Sequence, residues 1–284
     1  MTNWRLRFAC AALRRHVSGM AYTQAFSTLG CPDFTLEETL ALAERHRVGA
    51  VELRALGGSM ELPAYLKKQY GTPAALAEKL RGQRVNIVSF GTSWHITDAA
   101  AAEREKFLEF VPWAEALGVH WLRIFDSDKE LDAGEFAQAV ETMKWWREQR
   151  AAGGWRTDVM IETHGSMTTT GTIQRFLAAV PGTAILWDTH HTWKKGGEDP
   201  LATWRAIRAS VVHVHIKDSI SVPSARHPFT YVLPGDGEFP MTPLAAVLRD
   251  EFTGAVSLEW EKAWHPSLPL LDEALRVAAA RAWW

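Results

Sequence analysis

Short apolar runs alternate with longer amphipathic ones along most of this chain. The short runs fall at 22–27, 50–54, 85–90, 121–125, 159–163, 184–188, 211–216 and 256–260, and are rich in residues that suit strands. Helix patterns lie between them. TLEETLALAERHRVG begins with Thr35 as an N-cap and Glu38 three places on, a capping box. Further helices are predicted over 72–81, 98–117 (stopped by Gly118), 132–152, 172–180, 200–209, 242–250 and 271–282. Strands alternating with helices imply a parallel sheet with helices outside. About eight of each, with no linker between them, favour a closed (β/α)₈ barrel, a TIM barrel in one domain over 20–284. A doubly wound open sheet is the alternative. No Gly-rich phosphate fingerprint follows the first strand, so the usual reason to choose it is missing.

Composition narrows the partners. The 31 basic residues balance 33 acidic ones, which excludes the basic excess of a nucleic-acid binder. No apolar run reaches membrane-spanning length. Cys10 and Cys31 are too few for a disulfide framework or a four-cysteine zinc site, and a reducing, cytoplasmic setting is the simpler expectation. Arg5, Arg7, Arg14 and Arg15 are scattered through the first nineteen residues rather than placed ahead of an apolar core, a poor match to a signal peptide. A mobile extension, or a true start at Met20, is expected there.

The chemistry is sought at the strand ends, because barrel sites lie at the C-terminal mouth. The fifth strand run, DVMIETHG, ends with Glu162 on the face of Met160. The sixth, AILWDTHH, carries Asp188 on the face of Ala184 and Leu186. In VVHVHIKD, His213, His215 and Lys217 share one face and Val212, Val214 and Ile216 the other. The eighth, VSLEWEK, puts Glu259 and Glu261 opposite Val256, Leu258 and Trp260. Any one of these could be a solvated carboxylate or a core histidine. Four neighbouring strands ending in Glu, Asp, His and Glu are harder to explain so. Three converging carboxylates repel and are costly to desolvate unless a cation joins them. One divalent ion held by Glu162, Asp188, His215 and Glu259 is therefore expected, manganese first, with magnesium, cobalt, zinc or iron also compatible. His213 lies deeper, behind the ligands or in the core.

LWDTHHTW, HVHIKD, a GDGEFP loop and SLEWEKAWHP together resemble the sugar phosphate isomerase/epimerase family of xylose-isomerase-like TIM barrels. FSTLGCPDFTLEETLALAERHRVGAVELR is similar to that family's first βαβ unit, and the likeness runs from about residue 21 to 269. The resemblance implies the same four metal ligands. It implies a metal-dependent isomerase or epimerase of a carbohydrate, abstracting a proton next to a carbonyl through an enediolate. It also implies that Glu162 and Glu259 act as bases from opposite faces and that His191, with His190 the close alternative, contacts substrate oxygen.

Other residues are candidates on their own placement. Lys217 and Asp218 could bind a hydroxyl or carboxylate, or form a salt bridge at the strand exit. Arg123 could meet an anionic group. Glu52 with Arg54 could bind substrate or pair with each other. His95 and His164 could line the mouth, and Trp94, Trp193 and Trp264 could stack on a sugar ring. The Gly235–Gly237 turn could approach substrate, or be no more than a tight turn.

Three other functions compete. The family includes lyases and dehydratases that begin with the same deprotonation and then expel a leaving group. A non-catalytic sugar-binding protein is a different class. Endonuclease IV has a related barrel but needs three metals and a basic surface, which the charge balance opposes. A small carbohydrate is the expected partner, with no nucleic acid or membrane, and a homodimer is left open.

Overall fold

The pairing of the short runs closes a barrel. The structure, a computed structural model, describes residues 22–284, so the expected extension or late start over 1–19 lies outside the described residues. The barrel strands are β1 (Thr23–Ser27), β2 (Ala50–Leu53), β3 (Asn86–His95), β4 (Trp121–Phe125), β5 (Asp158–Glu162), β6 (Ala184–Asp188), β7 (Val211–Ile216) and β10 (Ala255–Leu258). They pair in the order β1-β10-β7-β6-β5-β4-β3-β2, and β1 pairs with β2 to close the ring. All eight pairings are parallel. The predicted (β/α)₈ barrel is thus what the chain forms.

The helices are α1 (Leu36–His46), α2 (Leu62–Tyr70), α3 (Pro73–Lys79), α4 (Ala101–Leu108), α5 (Val111–Leu117), α6 (Ala133–Gly153), α7 (Thr170–Ala179), α8 (Pro200–Ile207), α9 (Met241–Glu251) and α10 (Leu271–Ala280). The capping box of Thr35 and Glu38 is formed, and Asp132 with Glu135 makes a second at α6. The predicted helix over 98–117 is broken into α4 and α5. Pro112 stands in the first turn of α5, where it lacks the N–H that a continuous helix needs. Two elements were not foreseen. α2 is nine residues long and buries Leu62, Tyr65 and Leu66, and its Pro63 reads as a breaker unless it sits in a first turn. A two-stranded antiparallel ribbon, β8 (Asp218–Ile220) and β9 (Thr230–Val232), rises from β7 over the mouth.

The main core lies between the barrel and its helices. Trp146, Trp187, Trp204 and Trp260 are all but fully buried there. Each indole N–H finds an acceptor: Asp158, Thr192, Glu251 and the Pro269 carbonyl, at 2.8–2.9 Å. Truncating one such side chain to alanine costs about 3–5 kcal/mol. Among the described residues, no helix is long and apolar enough to cross a membrane.

Candidate metal centre

Inside the barrel the alternation of strand side chains turns polar residues toward the axis. Register does the rest: Asp188 of β6 lies beside His215 of β7, and His215 beside Ser257, two residues before Glu259. Glu162 closes β5 next to them. Glu162, Asp188, His215 and Glu259 are all buried, and each offers a ligand atom within 4.8 Å of the other three.

The His215 ring is fixed from behind. Its Nε2 lies 2.7 Å from Glu52 Oε2, both residues fully buried. This leaves Nδ1 facing Glu259 Oε1 at 3.3 Å and Glu162 Oε1 at 3.6 Å, with no hydrogen-bond partner of its own among the described residues. Glu162 Oε2 and Asp188 Oδ2 are buried beside it, each facing a cation: Arg123 Nε at 3.2 Å and Lys217 Nζ at 2.8 Å. Orphaned buried polar atoms are rare in folded proteins. The unpartnered His215 Nδ1, converging with the carboxylates of Glu162, Asp188 and Glu259, fits a divalent cation by donor type and number.

Charge points the same way. Lys217, buried at 1% exposure, places its ammonium 2.8 Å from Asp188, 2.6 Å from Glu261 and against Glu259. Even so, burial pushes Asp188 up to about 7, against the pull of Lys217 and with Glu259 and Glu162 adding to the rise. Burial also acts to raise Glu162, but the Arg123 guanidinium, 3.2 Å away, brings it down to about 2. His215 is held well above its usual range: burial opposes its charge, but Glu259 and Glu52 outweigh it. Lys217, Arg123 and an imidazolium at His215 face five carboxylates, Glu52, Glu162, Asp188, Glu259 and Glu261, a shortfall of positive charge that a divalent ion would supply.

A cavity of about 290 Å³ opens above the cluster, lined by Glu162, Glu259, Glu261, Arg54, Arg123, Phe125, His164, His191, Tyr231 and Trp264, among others. The structure brings His191 to this cavity. Its Nδ1 lies 3.0 Å from the Thr163 carbonyl and 3.2 Å from Asp188, while His190 turns away to Ser219. Arg123 lines the cavity, stacked over Phe125 and bound to the Thr92 carbonyl. Lys217 sits at the carboxylates rather than on the cavity wall.

Glu52 does not lie where a substrate-binding residue would. It is fully buried behind His215, because its face of β2 points to the barrel axis one layer below the mouth. His95 is at the rim, stacked on the outer side of Phe125 and facing Asp98 and Asp128, and it does not line the cavity. His164 does line it. Of the three tryptophans, Trp264 borders the cavity, Trp94 is packed on Phe107, and Trp193 packs against His190 and Phe239.

Two aspartates shape the surrounding loops. Asp126 accepts backbone N–H groups of Ser127, His164, Gly165 and Met167, fixing the turn that presents His164. A Cβ on Gly165 would lie 2.0 Å from the Ser127 carbonyl oxygen, so only glycine fits. Asp218 accepts from Ser219, Gly235, Gly237 and Phe239. It is therefore a loop anchor, neither a substrate ligand nor one half of a salt bridge. Gly237 comes close to this carboxylate instead of substrate. Asp218 thereby holds down the excursion that carries Arg226, His227 and Tyr231 onto the cavity. Sequence patterns did not mark those three; the one cue was the basic and aromatic run SARHPFTY after β8.

A family model described as xylose isomerase-like TIM barrel matches residues 40–282. The chain belongs to that family. The matched stretch holds all four ligand candidates and Glu52. A search of curated proteins finds no match. Several solved structures resemble the chain in fold. The probable 3-DHS dehydratase AsbF of Bacillus anthracis, involved in petrobactin synthesis, superposes with a TM-score of 0.74 at 19% identity, over 90% of this chain and 98% of that one. The IOLI protein with a binding zinc atom gives 0.69 at 18%, over 92% and 96%. A xylose isomerase domain protein from Planctomyces limnophilus gives 0.66 at 15%, over 94% and 98%.

Proposed function

We propose that this barrel is a divalent-metal-dependent isomerase or epimerase that moves a proton on the carbon next to a carbonyl of a small polyhydroxylated substrate. The observation that supports it is the convergence of Glu162, Asp188, His215 and Glu259, with His215 Nδ1 unpartnered, beneath an open cavity. A bound divalent ion supplies Lewis acidity to a carbonyl oxygen and its neighbouring hydroxyl.

The residues around it orient and transfer. Glu52 holds the His215 ring with Nδ1 turned inward. Arg123 fixes Glu162 on one side of the cluster, and Lys217 fixes Glu259 on the other. These two carboxylates stand on β5 and at the end of β10, three places apart around the ring, so a substrate carbon between them is reached from two sides. They are the proposed proton-transfer pair. His191, with Nδ1 donating to the Thr163 carbonyl, keeps Nε2 as an acceptor for a substrate hydroxyl.

Elimination is the second reading. It begins with the same proton abstraction at Glu162 or Glu259, and one structural relative carries the name of a dehydratase. The test is incubation of manganese-loaded protein in D₂O with ketoses, inososes and 3-keto-glycosides. Deuterium appearing in recovered substrate or its epimer supports the first reading. A dehydrated product supports the second. No exchange and no product with any substrate class would sink both.

A further inference from the structure

Among the described residues, Arg54 is the one buried cation at this site without a carboxylate. Arg123 is engaged by Glu162, and Lys217 by Asp188, Glu259 and Glu261. The Arg54 side chain leaves the end of β2 and reaches the cavity wall at 5% exposure. Its Nη2 donates to Ser93 Oγ at 2.9 Å, and its Nη1 is buried with no partner. A guanidinium so placed is costly to bury, and an unmet donor adds to the cost.

Its neighbour makes matters worse. Arg54 and Arg123 cross the same bare stretch of β3: a Cβ on Gly91 would lie 2.7 Å from Arg54 Cδ and 2.9 Å from Arg123 Nη2. Burial, and then the repulsion from Arg123, bring Arg54 down to about 9, so it stays charged at neutral pH. Lys195 and Arg226 add positive charge at the same cavity. A divalent ion in the carboxylate cluster would leave this wall more positive still.

We infer that the cavity takes a substrate carrying an anionic group, a carboxylate or a phosphate, and that the Arg54 guanidinium at its wall binds that group. Planar guanidinium donors match both anions in geometry. The inference rests on the reading of this cavity as the substrate site beside a metal, and it narrows the substrate class.

The test is calorimetric titration of the full-length, manganese-loaded protein with D-gluconate, D-glucitol 6-phosphate and neutral D-glucitol. Metal content is measured on the same samples. One anionic polyol should bind roughly 10- to 100-fold more tightly than glucitol, the scale of a charge-assisted hydrogen bond. A preference for gluconate identifies a carboxylate site and a preference for the phosphate a phosphate site. Arg54→Gln should lose the preference and Arg54→Lys should keep part of it, both with metal content unchanged. Equal affinities for charged and neutral polyols, no binding of either anion, or a preference that survives in Arg54→Gln would overturn the inference. Absence of metal alongside a preserved, Arg54-dependent preference would instead sink the metal-enzyme reading and leave the anion site standing.

Discussion

Replacing Glu52 by glutamine asks whether the metal centre extends beyond its four ligands. Glu52 touches no cavity, yet its Oε2 sits 2.7 Å from His215 Nε2 with both side chains fully buried. When Nδ1 binds a cation, Nε2 must carry the proton and donate to Glu52. The carboxylate makes that bond charge-assisted, fixes the tautomer and raises the basicity of Nδ1. Glutamine keeps the shape and an acceptor oxygen but removes the charge. Loss of such a partner weakens metal affinity by about 10- to 100-fold, or about 1.4–2.8 kcal/mol at 1.4 kcal/mol per tenfold. The assay is competition for Mn²⁺ against a chromophoric chelator, wild type beside Glu52→Gln. Ser257→Ala is the control: it removes the 2.7 Å partner of His213 in the same layer and should leave metal affinity unchanged. A Glu52→Gln protein that binds metal like wild type, or a Ser257→Ala protein that loses as much, would refute the reasoning.

Three further outcomes are expected. Lys217→Met strips the buried carboxylates of their ammonium and should destabilise the metal-free protein by about 3–5 kcal/mol, with added Mn²⁺ restoring more stability than it adds to wild type; equal metal-induced shifts in thermal melting would contradict this. Asp126→Asn removes a carboxylate that gathers four backbone N–H groups, and the urea midpoint should fall by an amount corresponding to about 2–3 kcal/mol. Cys31 is buried, and burial pushes its thiol up to about 12. Its thiolate is therefore scarce at pH 8 and grows only as pH rises toward that value. Mass-mapped alkylation should leave Cys31 unmodified in the native state and label it after unfolding.

The four-residue cluster was legible because two simple periodicities coincide in a barrel. Side chains alternate along each strand, and active residues collect at strand C-termini, so DVMIE, AILWD, VHVHI and VSLE could each be read for the residue that faces inward. What the residue behind the ligand does was not legible. Glu52 stands 163 residues from His215, and only the closure of β1 onto both β2 and β10 brings β2 across the axis from β7. The same applies to Arg54, whose neighbour in sequence suggested an ion pair that the barrel pulls apart, sending one side chain to His215 and the other to Ser93. The ribbon of β8 and β9 was missed for another reason. It has three residues per strand, no apolar alternation, and is held by one aspartate collecting distant amides. β3 runs on to His95 through GTSWH, where Gly, Thr and Ser gave no strand signal and the register with β4 shifts.

Whether the four buried side chains hold a metal decides most of the rest. Elemental analysis of the purified protein after incubation with Mn²⁺ and desalting tests it most directly, with Glu259→Gln and His215→Ala beside the wild type. The expected result is about one divalent ion per wild-type chain and a large loss in both variants, since each removes one of the four donors. A wild type that retains no metal under these conditions, or variants that retain as much as wild type, would contradict it. The cluster would then be polar filling of the barrel, neutralised by Lys217, Arg123 and His215.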